Sequence, residues 1–356
     1  MAVNIPDPAP ITTMGVLDPD WLTRTVYAAW PGVTVEEVEV VETLATTATK
    51  IRIRTRLRGA DATVPTALCI KAMLDDLGEQ FRGSAISINE AAFYRDIAAP
   101  LASAGLRTPP CLYIGIDPAT SHGLIVMEDL VEAGGHFLSA LTPYSPQDAR
   151  ASLDQLARLH GATWQTQAPF DAPWVTHAID AIAEKSMIPL DMLQDLMNGE
   201  RGKPLPPAVL DAQRLHRAIG RVAAVFRTLP SSLVHGDAHA GNLYVLRGDT
   251  GLIDWQLLQR GCWALDVAYH LGAALLPEVR RAHERSLLDH YLERLARFGG
   301  PRLDAGEAWT SYRMAMLYGY YLWAITRRVD PVITYEFNRR LGLAVADLQS
   351  LELAES

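Results

Sequence analysis

Polar and apolar positions alternate with a period of two in the first third of the chain. Across residues 36–42, Val38 and Val40 alternate with Glu37 and Glu39, the pattern of a half-buried strand. The period returns over 50–58, where Ile51, Ile53, Thr55 and Leu57 alternate with Arg52, Arg54 and Arg56, so the two segments read as strands paired through 44–49. Segment 66–73, TALCIKAM, is almost continuously apolar and is interrupted only by Lys71. The period then changes. Phe93, Tyr94, Ile97 and Leu101 form the stripe of a helix over 87–104, and Glu90 lies three and four residues before Phe93 and Tyr94, on the same face. After Pro109-Pro110, segments 112–116 and 123–127 read as a hairpin around Asp117-Pro118. The order is three strands, a helix and two strands.

Residues 1–17 are Pro-rich and aperiodic, an arm or loosely docked tail, and Asp18-Pro19 caps a helix that Pro31-Gly32 ends. From 131 onward helical periods dominate. Ser145-Pro146-Gln147-Asp148 is a capping-box-like start for a helix to about 164, with Leu153, Leu156, Ala157 and Leu159 on one face. His160 at the edge of that face reads as a packed, hydrogen-bonded histidine. Helices follow over 208–229, 278–298 and 308–327, and another begins at Asp266. Between them, 165–207 is cut by Pro169, Pro173 and Pro189 into short amphipathic pieces. The chain therefore divides into an arm (1–17), a small sheet-bearing lobe (18–130) and a larger helical lobe (131–356).

Candidate chemistry is concentrated in 233–256, LVHGDAHAGNLYVLRGDTGLIDWQ, where strand-like runs alternate with turns. Asn242 follows Asp237 by five residues, and Asp254 comes twelve later, folded back by a hairpin at 247–251. Taken singly, these are ordinary turn residues. Together they supply what phosphoryl transfer asks of a protein: Asp237 to orient or deprotonate an attacking hydroxyl, and Asn242 with Asp254 to hold magnesium. A lysine within an apolar strand is unlikely packing material, so Lys71 requires a partner, and Glu90 on the next helix supplies one. A surface Glu90 favoured by the helix dipole is the bland alternative. Asp266, at the start of its helix, reads as a cap or brace for the loop at His235.

Composition narrows the picture slightly. The 356 residues suffice for two lobes around a cleft, and the net charge of −9 argues against a nucleic-acid footprint. Cys69, Cys111 and Cys262 are odd in number and far apart, which suggests neither a disulfide framework nor a zinc site and fits a reducing cytoplasm. The start has no signal-peptide pattern, and no apolar run approaches the ~20 residues of a membrane span.

HGDAHAGN followed by LIDWQ resembles the catalytic core of the aminoglycoside phosphotransferase and choline kinase superfamily, and IDWQ with WALDVAYHL is similar to its ecdysteroid-kinase-like branch. The resemblance spans 36 to about 276. It implies an α+β, bilobal protein-kinase-like fold, with a five-stranded antiparallel small lobe bearing one helix and a larger, mainly helical lobe. It also implies transfer from ATP, with Mg2+, to a small hydroxylated molecule, Lys71 held on the phosphates by Glu90, and an adenine edge bound by backbone groups near Glu128. Where kinases carry a glycine-rich phosphate loop this chain has LATTATK, so hydroxyls of Thr46, Thr47 and Thr49 would stand in, or the turn is merely a polar hairpin. Helix 308–327 would line the acceptor site. It carries Trp309, Tyr312, Tyr318, Tyr320, Tyr321 and Trp323, a spacing more typical of core than of pocket, and no acid lies between Trp309 and Trp323. An apolar or aromatic acceptor follows, unless acids of 165–207 (Asp171, Asp180, Glu184, Asp191, Asp195) reach the cleft and suit an aminoglycoside or choline-type cation. A nucleotide-binding scaffold without turnover is the alternative from another class. An acyl-handling enzyme lacks support, since no G-x-S-x-G occurs.

Overall fold

Strands β1 (Thr34–Ala45), β2 (Thr49–Arg58), β3 (Ala67–Ala72), β4 (Cys111–Asp117) and β5 (His122–Glu128) form one antiparallel sheet in the order β1-β2-β3-β5-β4. The computed structural model describes residues 9–46, 48–77, 84–165, 170 and 172–356. Because side chains alternate across a strand, the register fixes two unlike faces. Ile51 opposite Ile70 and Ile53 opposite Leu68 face a small core with Leu124, Val126, Trp21 and Tyr27. The same register sets Lys50 opposite Lys71 and Arg52 opposite Cys69 on the other face.

The N-terminal residues cover the first face. Tyr27 is buried, its hydroxyl 2.6 Å from Thr55 Oγ1 and donating to Pro65 O at 2.9 Å. The described end of the arm is docked: Thr13 bonds Asp75 through its amide (3.2 Å) and hydroxyl (2.6 Å), Pro10 O lies 2.9 Å from His122 Nε2, and Val16 is buried.

The helix expected over 87–104 is divided into a 3-10 turn (Ala85–Ser87) and two helices, Asn89–Asp96 and Ala98–Ser103. Pro100 explains the second break, because it has no N–H to offer the carbonyl four residues earlier. Gly123 lets β5 pass close by: a Cβ there would lie 2.5 Å from Ser87 O.

The larger lobe is built on helices Pro146–Ala162, Ala212–Phe226, Ala264–Ala274, Pro277–Arg297, Ala305–Ile325 and Pro331–Asp347 around one apolar core. Residues 165–207 contribute Ala178–Glu184 and Leu190–Asn198, while Pro331–Asp347 and the short Ser350–Glu355 lie beyond the elements read from sequence. Small β ladders hold the central stretch: β7 (Ser232–Val234) pairs with β10 (Gln259–Gly261), and β6 (His136–Phe137), β8 (Leu243–Leu246) and β9 (Asp249–Leu252) pair side by side. No described helix is long and apolar enough to cross a membrane.

Candidate active site

The loop after β7 turns at Gly236, whose φ of +79° belongs to glycine, and a Cβ there would collide with Leu257 O at 2.1 Å. Asp237 follows, and the 3-10 turn Ala240–Asn242 returns Asn242 to it. Asn242 Nδ2 donates to Asp237 O (2.8 Å) and to Asp237 Oδ2 (3.1 Å). The β8–β9 hairpin then pairs Leu243 with Leu252, and the Ile253 amide donates to Asn242 O at 3.0 Å, which sets Asp254 beside Asn242.

Buried polar groups brace this loop from behind. Asp266 is completely buried, and its carboxylate accepts the amides of His235 (2.6 Å) and Gly236 (2.9 Å) as well as His160 Nε2 (3.0 Å). It lies inside the helix Ala264–Ala274 and not at its cap. His160 is thus packed and hydrogen-bonded on both sides, to Asp266 106 residues away and, through Nδ1, to the Tyr291 hydroxyl at 2.8 Å. His235 accepts the Asp237 amide at Nδ1 (3.3 Å) and reaches Ile253 O through Nε2 (2.8 Å), joining the two acidic positions. One turn past Asp266, the Tyr269 hydroxyl donates to Asp237 Oδ1 at 2.9 Å, and Tyr318 from another helix donates to Gly236 O at 2.8 Å.

The opposite wall is ionic. Lys71 Nζ lies 2.6 Å from Glu90 Oε2 and 3.0 Å from Asp254 Oδ1, and Lys50 Nζ is 3.8 Å from Asp254 Oδ2. Burial works against the charge on Lys71, but Asp254 and Glu90 outweigh it and hold its pKa above the ordinary range. Burial also favours protonated Asp254, yet Lys71 and Lys50 hold it well below a normal carboxylate. Glu90 is pushed up by its burial against the pull of Lys71. Asp254 sits at φ +66°, a left-handed backbone costing roughly 1–3 kcal/mol that the surrounding contacts must sustain. Those contacts are Trp255 stacked on Phe93 (4.0 Å, 9°) and lying 4.6 Å from the His235 ring. An aromatic column thereby links the Glu90 helix to the loop of Asp237.

At the bend after β5, the Glu128 amide donates to Pro110 O (3.0 Å) and that of Asp129 to Ala67 O (3.0 Å), whereas the Leu130 amide has no partner among the described residues. The β1–β2 turn folds onto itself: Thr46 donates from its amide (3.1 Å) and hydroxyl (3.5 Å) to Ala48 O. Thr47 lies outside the described residues, and Thr49 is buried in β2.

Asp237, Asn242, Asp254, Lys71 and Glu90 are thus in one constellation, with His235 and Asp266 behind it, while Glu128 and Thr46 stand apart from it. Sequence reasoning passed over Lys50, Tyr269 and Tyr318. Lys50 had a signal, since alternation places it on the same strand face as Arg52 and Arg54. Tyr318 read as core or acceptor wall, and Tyr269 was not singled out. Tyr312, Tyr318, Tyr320 and Tyr321 are in fact fully buried, their hydroxyls engaged by Glu284, Gly236 O, Val209 O, and Ser186 with the Met187 amide.

The model of the ecdysteroid kinase-like family matches residues 41–299. The chain belongs to this family. It is a small-molecule kinase, and its fold is similar to that of choline/ethanolamine kinases. Solved structures share the fold of this ecdysteroid kinase-like protein at low identity. A choline/ethanolamine kinase family protein from Mesorhizobium loti is 17% identical, with 95% of each chain covered and a TM-score of 0.52. An ethanolamine kinase from Plasmodium vivax is 13% identical over 92% of this chain and 86% of its own, with a TM-score of 0.52. A spectinomycin phosphotransferase in complex with ADP and spectinomycin is 11% identical over 96% of this chain and 100% of its own, with a TM-score of 0.50. Among curated proteins none matches the sequence.

Proposed function

We propose that the protein transfers the γ-phosphoryl group of ATP, bound with magnesium, to a hydroxyl of a largely apolar or aromatic small molecule, with Asp237 as the base. The observation that carries this is the convergence of cation, oxygen ligands and base: Lys71 on Asp254 at 3.0 Å, and Asn242 on Asp237 Oδ2 at 3.1 Å. The donor set suits the metal. Among the described residues no group of three or more His, Cys, Asp or Glu could hold an ion. Magnesium, however, takes one or two protein oxygens and completes its shell with phosphates and water. Asp254 and the Asn242 amide oxygen, which Nδ2 leaves free by pointing at Asp237, are those oxygens. Bound there, the metal would neutralise charge on the nucleotide phosphates.

The chain's own groups do the rest. Lys71, kept charged, holds phosphate oxygens, and the free Leu130 amide suits an adenine ring nitrogen. Asp237 orients the acceptor hydroxyl and accepts its proton. The apolar acceptor is supported by exposed Met187 and Met192, whose segment meets the helix Ala305–Ile325 through Tyr321. Asp180, one of the acids of 165–207, is paired with Arg227 at 3.1 Å.

A screen for ADP release with hydroxylated sterols, choline-like amines and kanamycin-like sugars tests the reading. Saturable turnover of the apolar alcohols is the expected result. Efficient turnover of the polycationic sugars would show the acceptor assignment to be wrong, and MgATP binding without turnover of any hydroxyl, water included, would favour the scaffold that the glycine-free turn suggests.

A further inference from the structure

Asp237 is held on two sides, and its remaining surroundings point to a third. Tyr269 occupies Oδ1 at 2.9 Å and Asn242 approaches Oδ2 at 3.1 Å. His239 stands on the other side, with Nε2 3.6 Å from Oδ2, beyond hydrogen-bond reach. Its tautomer follows from its own bond. The Gly241 amide donates to His239 Nδ1 at 3.0 Å, so in the neutral imidazole the proton is on Nε2, directed to the side of Asp237. The ring has little freedom, because it packs 5.1 Å from both Trp323 and Phe337 and 6.0 Å from Tyr269. Its side chain keeps 13% exposure and that of Asp237 25%, so both reach the cleft.

A donor and an acceptor 3.6 Å apart do not satisfy each other, and one group that both donates and accepts can serve the two. A phosphoryl oxygen only accepts, and the carboxylate would repel it. A hydroxyl donates to Oδ2 and accepts from Nε2–H. Resting on the kinase reading above, we propose that the acceptor hydroxyl binds between His239 and Asp237, making His239 a second catalytic residue that fixes the nucleophilic oxygen. In the transfer, the hydroxyl proton passes to Asp237 Oδ2 as its oxygen bonds to the γ-phosphorus. The bond from that phosphorus to the β–γ bridging oxygen breaks, and ADP leaves with the electron pair. The site therefore takes a neutral alcohol at this point, since an ammonium has no lone pair to offer Nε2–H.

Basal hydrolysis of MgATP, with water as the hydroxyl, needs no identified acceptor and serves as the probe. His239→Ala is expected to slow hydrolysis on the order of 10- to 100-fold, the cost of losing orientation, with the Kd for MgADP within about twofold of the parent. His239→Gln, whose amide nitrogen extends toward the Nε2 position, recovers most of the loss. Full hydrolysis in His239→Ala beside an inactive Asp237→Asn overturns the role of His239 and leaves the kinase reading standing. Hydrolysis surviving in Asp237→Asn overturns that reading itself. Equal losses in the alanine and glutamine variants, with lowered unfolding midpoints, would show that the ring only fills the aromatic packing and would likewise overturn the proposal.

Discussion

The two walls of the cleft are held by different forces. On the sheet side, four charged groups, Lys50, Lys71, Glu90 and Asp254, meet with few neutral partners. On the helical side, Asp237 is positioned by Asn242 and Tyr269, and its loop by Asp266, His235 and Tyr318. An ionic cluster can change partners when a charged ligand arrives: on the proposed reading, a metal held by Asp254 would take over the role of the lysines and leave them for phosphate. A network of hydrogen bonds that converges on the Asp237 and Asp266 carboxylates has fewer alternatives and keeps Asp237 in place before anything binds. Adaptability thus belongs to the ionic wall, and preorganisation to the wall of Asp237.

The largest effect lies where the comparison is sharpest. Asp237→Asn should reduce turnover by about 10²- to 10⁴-fold, because the base is lost while nucleotide contacts remain. Calorimetry with MgADP should give nearly parental affinity. Wild-type turnover of a confirmed acceptor would remove Asp237 from the role of base.

Next is the brace. Asp266→Ala leaves three buried donors without an acceptor and should destabilise the fold by about 3–5 kcal/mol, measured by urea unfolding. If stability changes by less than about 1 kcal/mol, the loop is not held from behind in the way described. Lys71→Met carries the matching test on the ionic wall, with MgADP affinity falling about 10- to 100-fold. Lys50 is partly exposed, and Lys50→Met should cost only a few-fold. Equal losses would mean that the two lysines share the phosphates evenly.

How much was legible follows the same division. The sheet announces itself through local alternation, and the Lys71–Glu90 pair through a lysine in an apolar strand followed by an acid on a helix stripe. Asp237, Asn242 and Asp254 were visible because the turn and hairpin keep them close along the chain. The braces were not, since Asp266 and Tyr318 reach Gly236 from 30 and 82 residues away, and His160 reaches Asp266 from 106. Nothing in a helical stripe distinguishes a tyrosine whose hydroxyl serves a distant carbonyl from one that fills space. The spacing of the aromatic helix read as core and the resemblance as an acceptor wall, and the engaged hydroxyls show that its tyrosines are struts.

The smallest effect concerns pH and the strut behind Ala238. His270 is fully buried, with Nδ1 2.9 Å from Ala238 O and Nε2 2.6 Å from Ser152 Oγ, so the neutral ring donates at Nδ1 and accepts from the serine. Burial lowers its pKa from 6.5 to about 4. Since the unfolded chain takes up this proton first, stability from His270 is complete above the unfolded value and declines as pH falls from 6.5 toward 4. Between pH 7 and 5.5 the decline should be about 1 kcal/mol. His270→Asn preserves the donor to Ala238 O without a titrating ring. Its stability deficit relative to the parent should shrink by that amount over this interval in urea titrations. A deficit that stays constant would mean that protonated His270 is tolerated, and that the hydrogen-bonded wall is more yielding than its geometry implies.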